Sequence, residues 1–519
     1  MKLNNKRIKS EEGLKKAILE EKKRGVPDIE IGKKFGVPYK YIEKVITQQT
    51  GINISNLNKN KKIKYLSPPN FKLEETSVWS FKQRGDWATH SGEYRGNYSP
   101  YIPRNIILRY SKPGDLVLDM FCGAGTTAIE AKLLGRRCIA SDINEKAIEL
   151  ARNNLDFQIN RLVFPDDSVQ EYYEPELYVH DARDLSWLKD DSIDLICTHP
   201  PYANIIQYTN NKAADLSFLD IEEFIEEMKK VAAECFRVLR PGKQLALLIG
   251  DTRRKKHVIP LGFMLINVFL DAGFNLRELV IKRQHNCKTT GFWYEKSIKN
   301  NFLLLAHEYL PIFDKPTSLK RQRRVSEEDT AFVSTTVPLL IKKPLSSLET
   351  TTVWIYPDGQ RDNYLAHNLI QRYARDGKYL KIEIRPRIED YETKELVSQR
   401  DRYKFIWIDT SKAEGNIRVD PEVYLGLVKE LADKALNLLE GGGFIAIGAK
   451  DMRFDGKLIA FAKLTVDELK NDKIWLKEII VVSEESDKKL IEERIYANKE
   501  KQQELQISHS YILVYEKKS

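Results

Sequence analysis

Short apolar runs and stretches of helical spacing alternate through the middle of this chain. LVLD (116–119) is a strand-like run, and AGTTAIEAKLLG (124–135) has the spacing of a helix that ends at a glycine. RRCIASD (136–142) predicts a strand and EKAIELARNNL (145–155) a helix, with ELYVHD (176–181) and DLICT (194–198) as further strands. A long amphipathic helix, IEEFIEEMKKVAAECFRVLRPG (221–242), leads into QLALLIGD (244–251). A helix over 259–272 and two late strands, NLRELVIKR (275–283) and NNFLLLAHEYLPIF (300–313), complete the unit. Strands that alternate with crossover helices predict an α/β, doubly wound, mostly parallel sheet. The last two strands have no helix between them, which predicts an antiparallel edge.

The flanks follow other patterns. Residues 11–24 have helical spacing, and 28–35 form a second short helix with Asp28 as its N-cap. Gly36-Val37-Pro38 turns the chain into a further helix from Tyr39, and Ile31, Phe35, Val37, Ile42, Val45 and Ile46 share a small core. This resembles a helix-turn-helix, whose second helix, bearing Lys40, would meet DNA; a plain structural or oligomerising hairpin has the same pattern. A Lys-rich linker covers 56–72, and a second, basic linker covers 316–345. Beyond it the order of motifs repeats. LETTTVW (348–354) echoes LEETSVW (73–79), NLIQRY (368–373) echoes NIILRY (105–110), and KFIWIDTS stands where DLICTHPP stood. LLEGGGFIAIGAKDMR (438–453) parallels VLRPGKQLALLIGDTRR (238–254), and SYILVYEK parallels FLLLAHEYLPIFDK. The reading is a duplicated domain: helical segment 1–55, linker, first copy 73–315, linker, second copy 346–519.

Charge changes this picture little. Lys and Arg outnumber Asp and Glu by 84 to 75, a net charge of +9 that suits a polyanionic partner without requiring one. The five cysteines are scattered with no CxxC pair, so neither a zinc site nor a disulfide framework is expected. Apolar runs all fall short of the ~18 residues a membrane span needs, and MKLNNKRIKSEEG lacks the apolar core of a signal peptide. A cytoplasmic protein is expected, with no metal and no membrane partner.

The chemistry concentrates at strand ends. In LVLDMFCGAGTT (116–127) a strand ends at Asp119, and Gly123 and Gly125 let backbone approach a ligand before a helix begins. Asp142 ends the next strand, placed for ribose hydroxyls, and Asp181 ends the third, where it can accept from an adenine amino group. His199, Pro200, Pro201 and Tyr202 follow the fourth. From about 75 to 315 the chain resembles the amino-methylating DNA methyltransferases that use S-adenosylmethionine, acting at cytosine N4 or adenine N6. Their D-x-F-x-G-x-G loop matches Asp119 to Gly125, and their [DNS]-P-P-[YF] clamp matches His199 to Tyr202, with His in place of the usual Asp, Asn or Ser. GNYSPYIPRNIILRYSKPGD (96–115) is similar to the element that contacts the cofactor's methionine end, and it precedes the glycine loop, the family's less common order.

The resemblance implies a seven-stranded methyltransferase sheet and cofactor contacts from Asp119, Phe121, Gly123, Gly125, Thr126, Asp142, Asp181, Ser99 and Pro100. Asp119 would accept from the cofactor's ammonium. The Pro200 carbonyl and His199 would accept from the target amine, Tyr202 would stack on the base, and Pro201 completes the clamp. Such a pocket requires base flipping. Neutral imidazole offers one acceptor nitrogen and imidazolium none, so the rate is expected to fall below a pH of ~6.5. The TxPPYxxxIxY context is closer to the cytosine type, so cytosine N4 is favoured over adenine N6.

Two alternatives stay open: an RNA methyltransferase acting at guanine N2, and a DNA-binding pseudoenzyme. Arg253, Arg254, Lys255 and Lys256 are candidates for phosphate contact, and Trp293, in an expected loop at 289–296, is a candidate for stacking on a base. The second copy lacks the glycine loop and the Pro-Pro-Tyr clamp. It is expected to be degenerate and to act as a dimer-like partner that helps hold DNA. A restriction endonuclease is a possible partner by this resemblance, and the chain is either a monomer with an internal pseudo-dimer or a homodimer.

Overall fold

The structure, a computed structural model, describes residues 11–37, 41, 42, 45, 63–159, 171–203, 215–285, 290–317, 332–386, 401–413, 421–485 and 504–519, apart from isolated positions within those stretches. The chain divides into two compact units, each discontinuous in sequence. One comprises Met1–Leu73, Gln83–Leu248 and Val268–Phe274, and the other Glu74–Lys82, Ile249–Asn267 and Asn275–Ser519.

In the first unit five strands lie side by side, all parallel: Leu239–Leu247, Ile193–Thr198, Leu116–Asp119, Arg137–Asp142 and Glu176–Val179. Helices Thr126–Leu133, Glu145–Leu155 and Ile221–Val238 make the crossovers. Ile193–Thr198 is buried at every position, its apolar residues as expected when helices cover both faces and Asp194 because its Oδ2 accepts from Leu116 N at 3.0 Å. Helix ends follow local chemistry. Asn144 caps Glu145–Leu155 by accepting from Lys146 N at 3.1 Å, and Asp220 and Glu223 form a reciprocal capping box at the start of Ile221–Val238. That helix stops at Val238, short of the expected 242: Pro241 carries no N–H, Gly242 sits at φ 80°, and the strand already begins at Leu239. Chain order reverses between Leu116–Asp119 and Ile193–Thr198. The carboxyl ends of these two strands therefore flank a crevice, the place where open α/β sheets bind ligands.

The N-terminal segment forms helices Glu11–Lys23 and Asp28–Phe35, with Gly36 turning the chain at φ 65°. Ile18, Ile31, Ile42 and Val45 are buried together, with Phe35 and Val37 packed against them. Lys40, Ile46 and most of the expected second helix lie outside the described residues.

In the second unit, Asn275–Arg283 pairs in parallel with Val78–Ser80 and antiparallel with His307–Asp314. The same unit holds a seven-stranded sheet ordered Phe332–Val337, Tyr379–Pro386, Tyr403–Asp409, Leu439–Ala449, Ser510–Lys517, Ile474–Glu484, Val353–Tyr356. Ile474–Glu484 likewise pairs in parallel with Val353–Tyr356 and antiparallel with Ser510–Lys517. Two corrections to the sequence reading arise here. Phe332–Val337, placed in a linker, is a strand, because pairing with Tyr379–Pro386 satisfies its backbone. Residues 289–296, placed in a loop, fall almost entirely on the helix Thr290–Lys299.

Buried polar bonds in this unit come in matched sets. Arg253 binds Glu478 and Arg453 binds Glu278; Leu303 N donates to Glu478 at 3.0 Å and Leu505 N to Glu278 at 3.2 Å. His307 Nδ1 meets Thr352 Oγ1 at 2.9 Å, and His509 Nδ1 meets Ser77 Oγ at 2.7 Å. Each His turns Nε2 to a tyrosine, Tyr309 or Tyr511, whose hydroxyl donates to Asp251 or Asp451. Among the described residues no helix is long and apolar enough to cross a membrane.

Candidate active site at the switch point

The crevice of the first unit is a cleft of about 700 Å³, part of it open to solvent. Phe121 and Gly123 of the glycine turn, Asp142 and Asp181 from strand ends, and His199 and Pro201 from the Pro-Pro-Tyr step all line it. Residues scattered over 80 positions of sequence thus meet at one sheet edge, because successive parallel strands end on the same side.

The glycine turn depends on backbone conformations that side chains resist. Gly123 has φ 51°, and a Cβ there would fall 3.0 Å from the Tyr94 ring; Gly125 has φ 82°, and a Cβ there would fall 3.1 Å from Ala151 Cβ. Gly123 therefore keeps the cleft wall open, whereas Gly125 permits close packing of two helices. Asp142 braces the turn: its Oδ2 accepts from Gly123 N at 2.9 Å and its Oδ1 from Asn144 N at 2.9 Å. Burial raises its carboxyl to about 6.

Asp119 sits behind the cleft lining, 1 % exposed. Its Oδ1 accepts from Thr198 Oγ1 at 2.7 Å and Phe121 N at 3.2 Å, with the Thr127 hydroxyl also favouring the charged form, while among the described residues Oδ2 is buried without a partner at hydrogen-bond distance. Burial raises this carboxyl also, to about 6. An unsatisfied buried acceptor is costly, and a cationic ligand group at the turn would relieve it. The donor set thus fits the ammonium-bearing end of S-adenosylmethionine, which supplies a sulfonium methyl group when bound.

The remaining expected contacts divide into two groups. Asp181 lines the cleft, but its carboxylate is held by Arg183 Nε at 3.0 Å and Nη2 at 2.6 Å. Burial raises it, those bonds outweigh burial, and the net position is below the ordinary value. Thr126 and Ser99 face inward: Thr126 Oγ1 bonds Asn97 Oδ1, and Ser99 Oγ donates to Arg84 O at 2.7 Å. Pro100 precedes the helix Tyr101–Tyr110 as its N-cap. Thr126 ties Asn97 to the start of the helix after the glycine turn, and all three are absent from the cleft lining. Pro200 is buried beside the lining. Tyr202 is turned to His199, with its hydroxyl 2.8 Å from Nε2.

Among the basic candidates, Arg253 is committed to Glu478, Leu303 O and Lys477 O, so its guanidinium is not presented to a phosphate. Arg254, Lys255 and Lys256 are exposed at the tip of the hairpin Thr252–Arg254/His257–Ile259. Trp293 falls on the helix Thr290–Lys299, and its side chain lies outside the described residues.

Sequence reasoning missed several residues that shape the site. Tyr94, Asn97, Tyr98, Asp215 and Leu216 line the cleft. Glu130, wholly buried on the helix after the glycine turn, accepts from Trp87 Nε1 at 2.6 Å and Arg104 Nη1 at 2.8 Å, with His90 Nε2 at 2.8 Å. A glutamate inside an apolar helical stretch was the available signal, because such a charge is buried only with partners.

Known proteins share parts of this sequence. A family model described as DNA methylase (N6_N4_Mtase) matches residues 13–153 and 193–416, and a methyltransferase-domain model matches 111–260. A tRNA (guanine(10)-N2)-dimethyltransferase of Methanothermobacter thermautotrophicus is 35% identical over 24% of this chain and 34% of its own. The type II methyltransferase M.MthZI of the same organism is 29% identical over 30% of this chain and 50% of its own. A solved SAM-dependent methyltransferase of Methanosarcina mazei covers 41% of this chain and 98% of its own at 20% identity, with a TM-score of 0.28. The chain thus spans a third to a half of the length of these curated relatives. With the matched family model running over more than half of the sequence, through both the glycine turn and the Pro-Pro-Tyr strand, this chain belongs to the S-adenosylmethionine-dependent DNA amino-methyltransferase family.

Proposed function

We propose that this protein transfers a methyl group to the exocyclic amine of a base flipped from duplex DNA, at cytosine N4 in preference to adenine N6. The observation that carries this reading is the convergence of Phe121, Gly123, Asp142, His199 and Pro201 on one cleft. Asp119 and the glycine turn hold the cofactor's amino-acid end, and Asp142 faces its ribose. An exocyclic amine is a poor nucleophile because its lone pair is delocalised into the ring. His199 and the Pro200 carbonyl accept its hydrogens and aim it at the methyl group, and holding the reactants together supplies most of the effect. Tyr202 stacks on the base. Arg254, Lys255, Lys256 and Lys40 meet DNA phosphates.

The 346–519 region acts in this reading as a degenerate copy of 73–315. The shared strand order and the matched buried bonds support that view. In register, the row Leu118, Ile196, Leu245 corresponds to Leu380, Ile406, Ile445. One step on, Lys381 takes the place of Asp119, and three steps on from Ile406, Asp409 takes that of His199. Lys381 Nζ lies 2.9 Å from both Asp409 Oδ2 and Glu383 Oε1 in a buried cluster, so the cofactor's place is filled by an internal ion network. One cofactor per chain is expected, with the copy serving as an internal partner and the N-terminal hairpin as a DNA contact.

The test is incubation with labelled S-adenosylmethionine and mixed-sequence duplex DNA, followed by nucleoside mass spectrometry. N4-methylcytosine supports the full reading, and N6-methyladenine keeps the class while overturning the base. A second reading, guanine-N2 methylation of tRNA, is favoured by the tRNA-modifying relative. Label in tRNA with none in DNA would select it, and absence of cofactor binding would leave a DNA-binding pseudoenzyme.

A further inference from the structure

We propose that Tyr98 is a positioning residue matched to His199: its ring sets the direction of the imidazole, and with it the one nitrogen that can accept from the target amine. This rests on the methyl-transfer reading above. The aromatic rings of Tyr98 and His199 lie 5.2 Å apart, tilted by 56°. Beside the imidazole, Tyr202 Oη sits 2.8 Å from Nε2, and its ring centroid is 5.3 Å away. The imidazole therefore touches two tyrosines. They do different jobs. Tyr202, bonded to Nε2, leaves Nδ1 as the other nitrogen and fixes the tautomer only while the ring keeps that contact. Tyr98, anchored from elsewhere, holds the ring in the orientation that keeps it.

That anchoring is extensive. Tyr98 is 8 % exposed, and its hydroxyl bonds Thr127 Oγ1, with Cys197 Sγ at 3.8 Å. Thr127 stands on the helix after the glycine turn, and Cys197 on the strand that delivers His199. At the backbone, Arg84 Nη2 donates to Tyr98 O at 2.8 Å while Ser99 Oγ donates to Arg84 O, so residues 98 and 99 are gripped in both directions. The ring is thus fixed to the cofactor helix, the catalytic strand and the 84–99 segment at once.

The chemical need is specific to histidine. A carboxylate at 199 presents equivalent lone pairs over a wide range of rotation, and a serine hydroxyl rotates freely. Neutral imidazole carries one acceptor lone pair in the ring plane. A swing of its plane, or the other tautomer, turns a donor or a C–H toward the amine. A rigid aromatic wall is what such a side chain requires, and Tyr98 supplies it from the segment that precedes the glycine turn.

The experiment combines a double-mutant cycle with a readout independent of turnover. Tyr98→Leu and Tyr98→Phe are made in the full chain, each with His199 and with His199→Asp. With His199 present, Tyr98→Leu is expected to lower kcat by roughly 10²-fold, the scale of a small misplacement at a reacting centre, and Tyr98→Phe to lower it less. In the His199→Asp background the Tyr98→Leu loss is expected to shrink to about threefold, a coupling of more than 2 kcal/mol. In parallel, ¹⁵N-histidine NMR of the full chain reads the tautomer of His199, identified by its loss in His199→Asp. One tautomer is expected with Tyr98 or Phe, and averaging with Leu. Equal kinetic losses in both backgrounds, or a tautomer indifferent to Tyr98→Leu, would overturn the proposal. If the parent chain transfers no methyl group, the function reading fails, and the NMR result still decides the role of Tyr98.

Discussion

Glu130 ties three side chains from two pieces of chain to the helix behind the glycine turn, and removing it should loosen the cleft from behind. Its carboxylate is wholly buried, and the Arg104 side chain bonded to it is 10% exposed. Glu130→Ala leaves that guanidinium without its counter-ion and the Trp87 and His90 nitrogens without this acceptor. Breaking a buried pair from one side costs about 3–5 kcal/mol. Glu130→Gln keeps the volume and one acceptor oxygen but faces an amide toward a donor, so about 1–3 kcal/mol is expected. The loss should be local first, because Glu130 is the group that joins Trp87 and His90 to the helix behind the glycine turn. Amide hydrogen exchange is the assay: His90 N, bonded to Trp87 O, and Ile102 N, bonded to Ser99 O, report on the 84–104 segment. At 1.4 kcal/mol per decade, Glu130→Ala should speed their exchange by roughly a hundredfold or more, and Glu130→Gln by about tenfold. Cofactor binding should weaken in the same order, since Asn97 and Tyr98 line the cleft from this segment. Exchange within threefold of the parent protein for Glu130→Ala would refute the reasoning.

Other expectations follow from the same structure. Burial raises Asp119 and Asp142 to about 6, so each carboxyl contributes stability to the unliganded protein at low pH that is lost as pH rises from the ordinary carboxylate range through 6. A cationic ligand group favours ionised Asp119, so cofactor affinity by calorimetry should rise between pH 5 and 7, and Asp119→Asn should flatten that rise. With cofactor held saturating at every pH, His199→Asp should remove the acid limb of kcat, and a limb unchanged in the kcat–pH profile would show that another group titrates. Arg253→Ala and Arg453→Ala each strand a buried glutamate, Glu478 or Glu278, and each should destabilise by about 3–5 kcal/mol in urea unfolding. A large cost for one and none for the other would argue against equivalent roles.

Much of the site was legible because strand ends are marked in one dimension. An apolar run that stops at Asp119 and is followed by two glycines can be recognised without coordinates. The same holds for the acidic ends at Asp142 and Asp181 and for the Pro-Pro-Tyr step, since parallel crossovers bring all strand ends to one edge. The duplicated order of motifs was also readable, because each element leaves its own apolar pattern.

Tertiary structure decided what depends on partners distant in sequence. Thr126 and Ser99 look like ligand contacts in the sequence, yet their hydroxyls are spent on Asn97 and Arg84, and only packing determines which way a small polar side chain faces. Arg253 sits in a basic run that reads as a phosphate contact, but Glu478, 225 residues away, draws it inward. Phe332–Val337 reads FVSTTV, with no apolar–polar alternation to mark it as a strand, and became one because Tyr379–Pro386 offered an edge. Tyr98 lies in the 96–115 segment that the resemblance marks, but nothing singled it out there, since its contacts with Thr127, Cys197 and His199 exist only in the fold. Local pattern determined which elements form and where each one ends; the destination of each polar side chain was set by long-range proximity, because a buried polar group takes whichever partner the fold brings within reach.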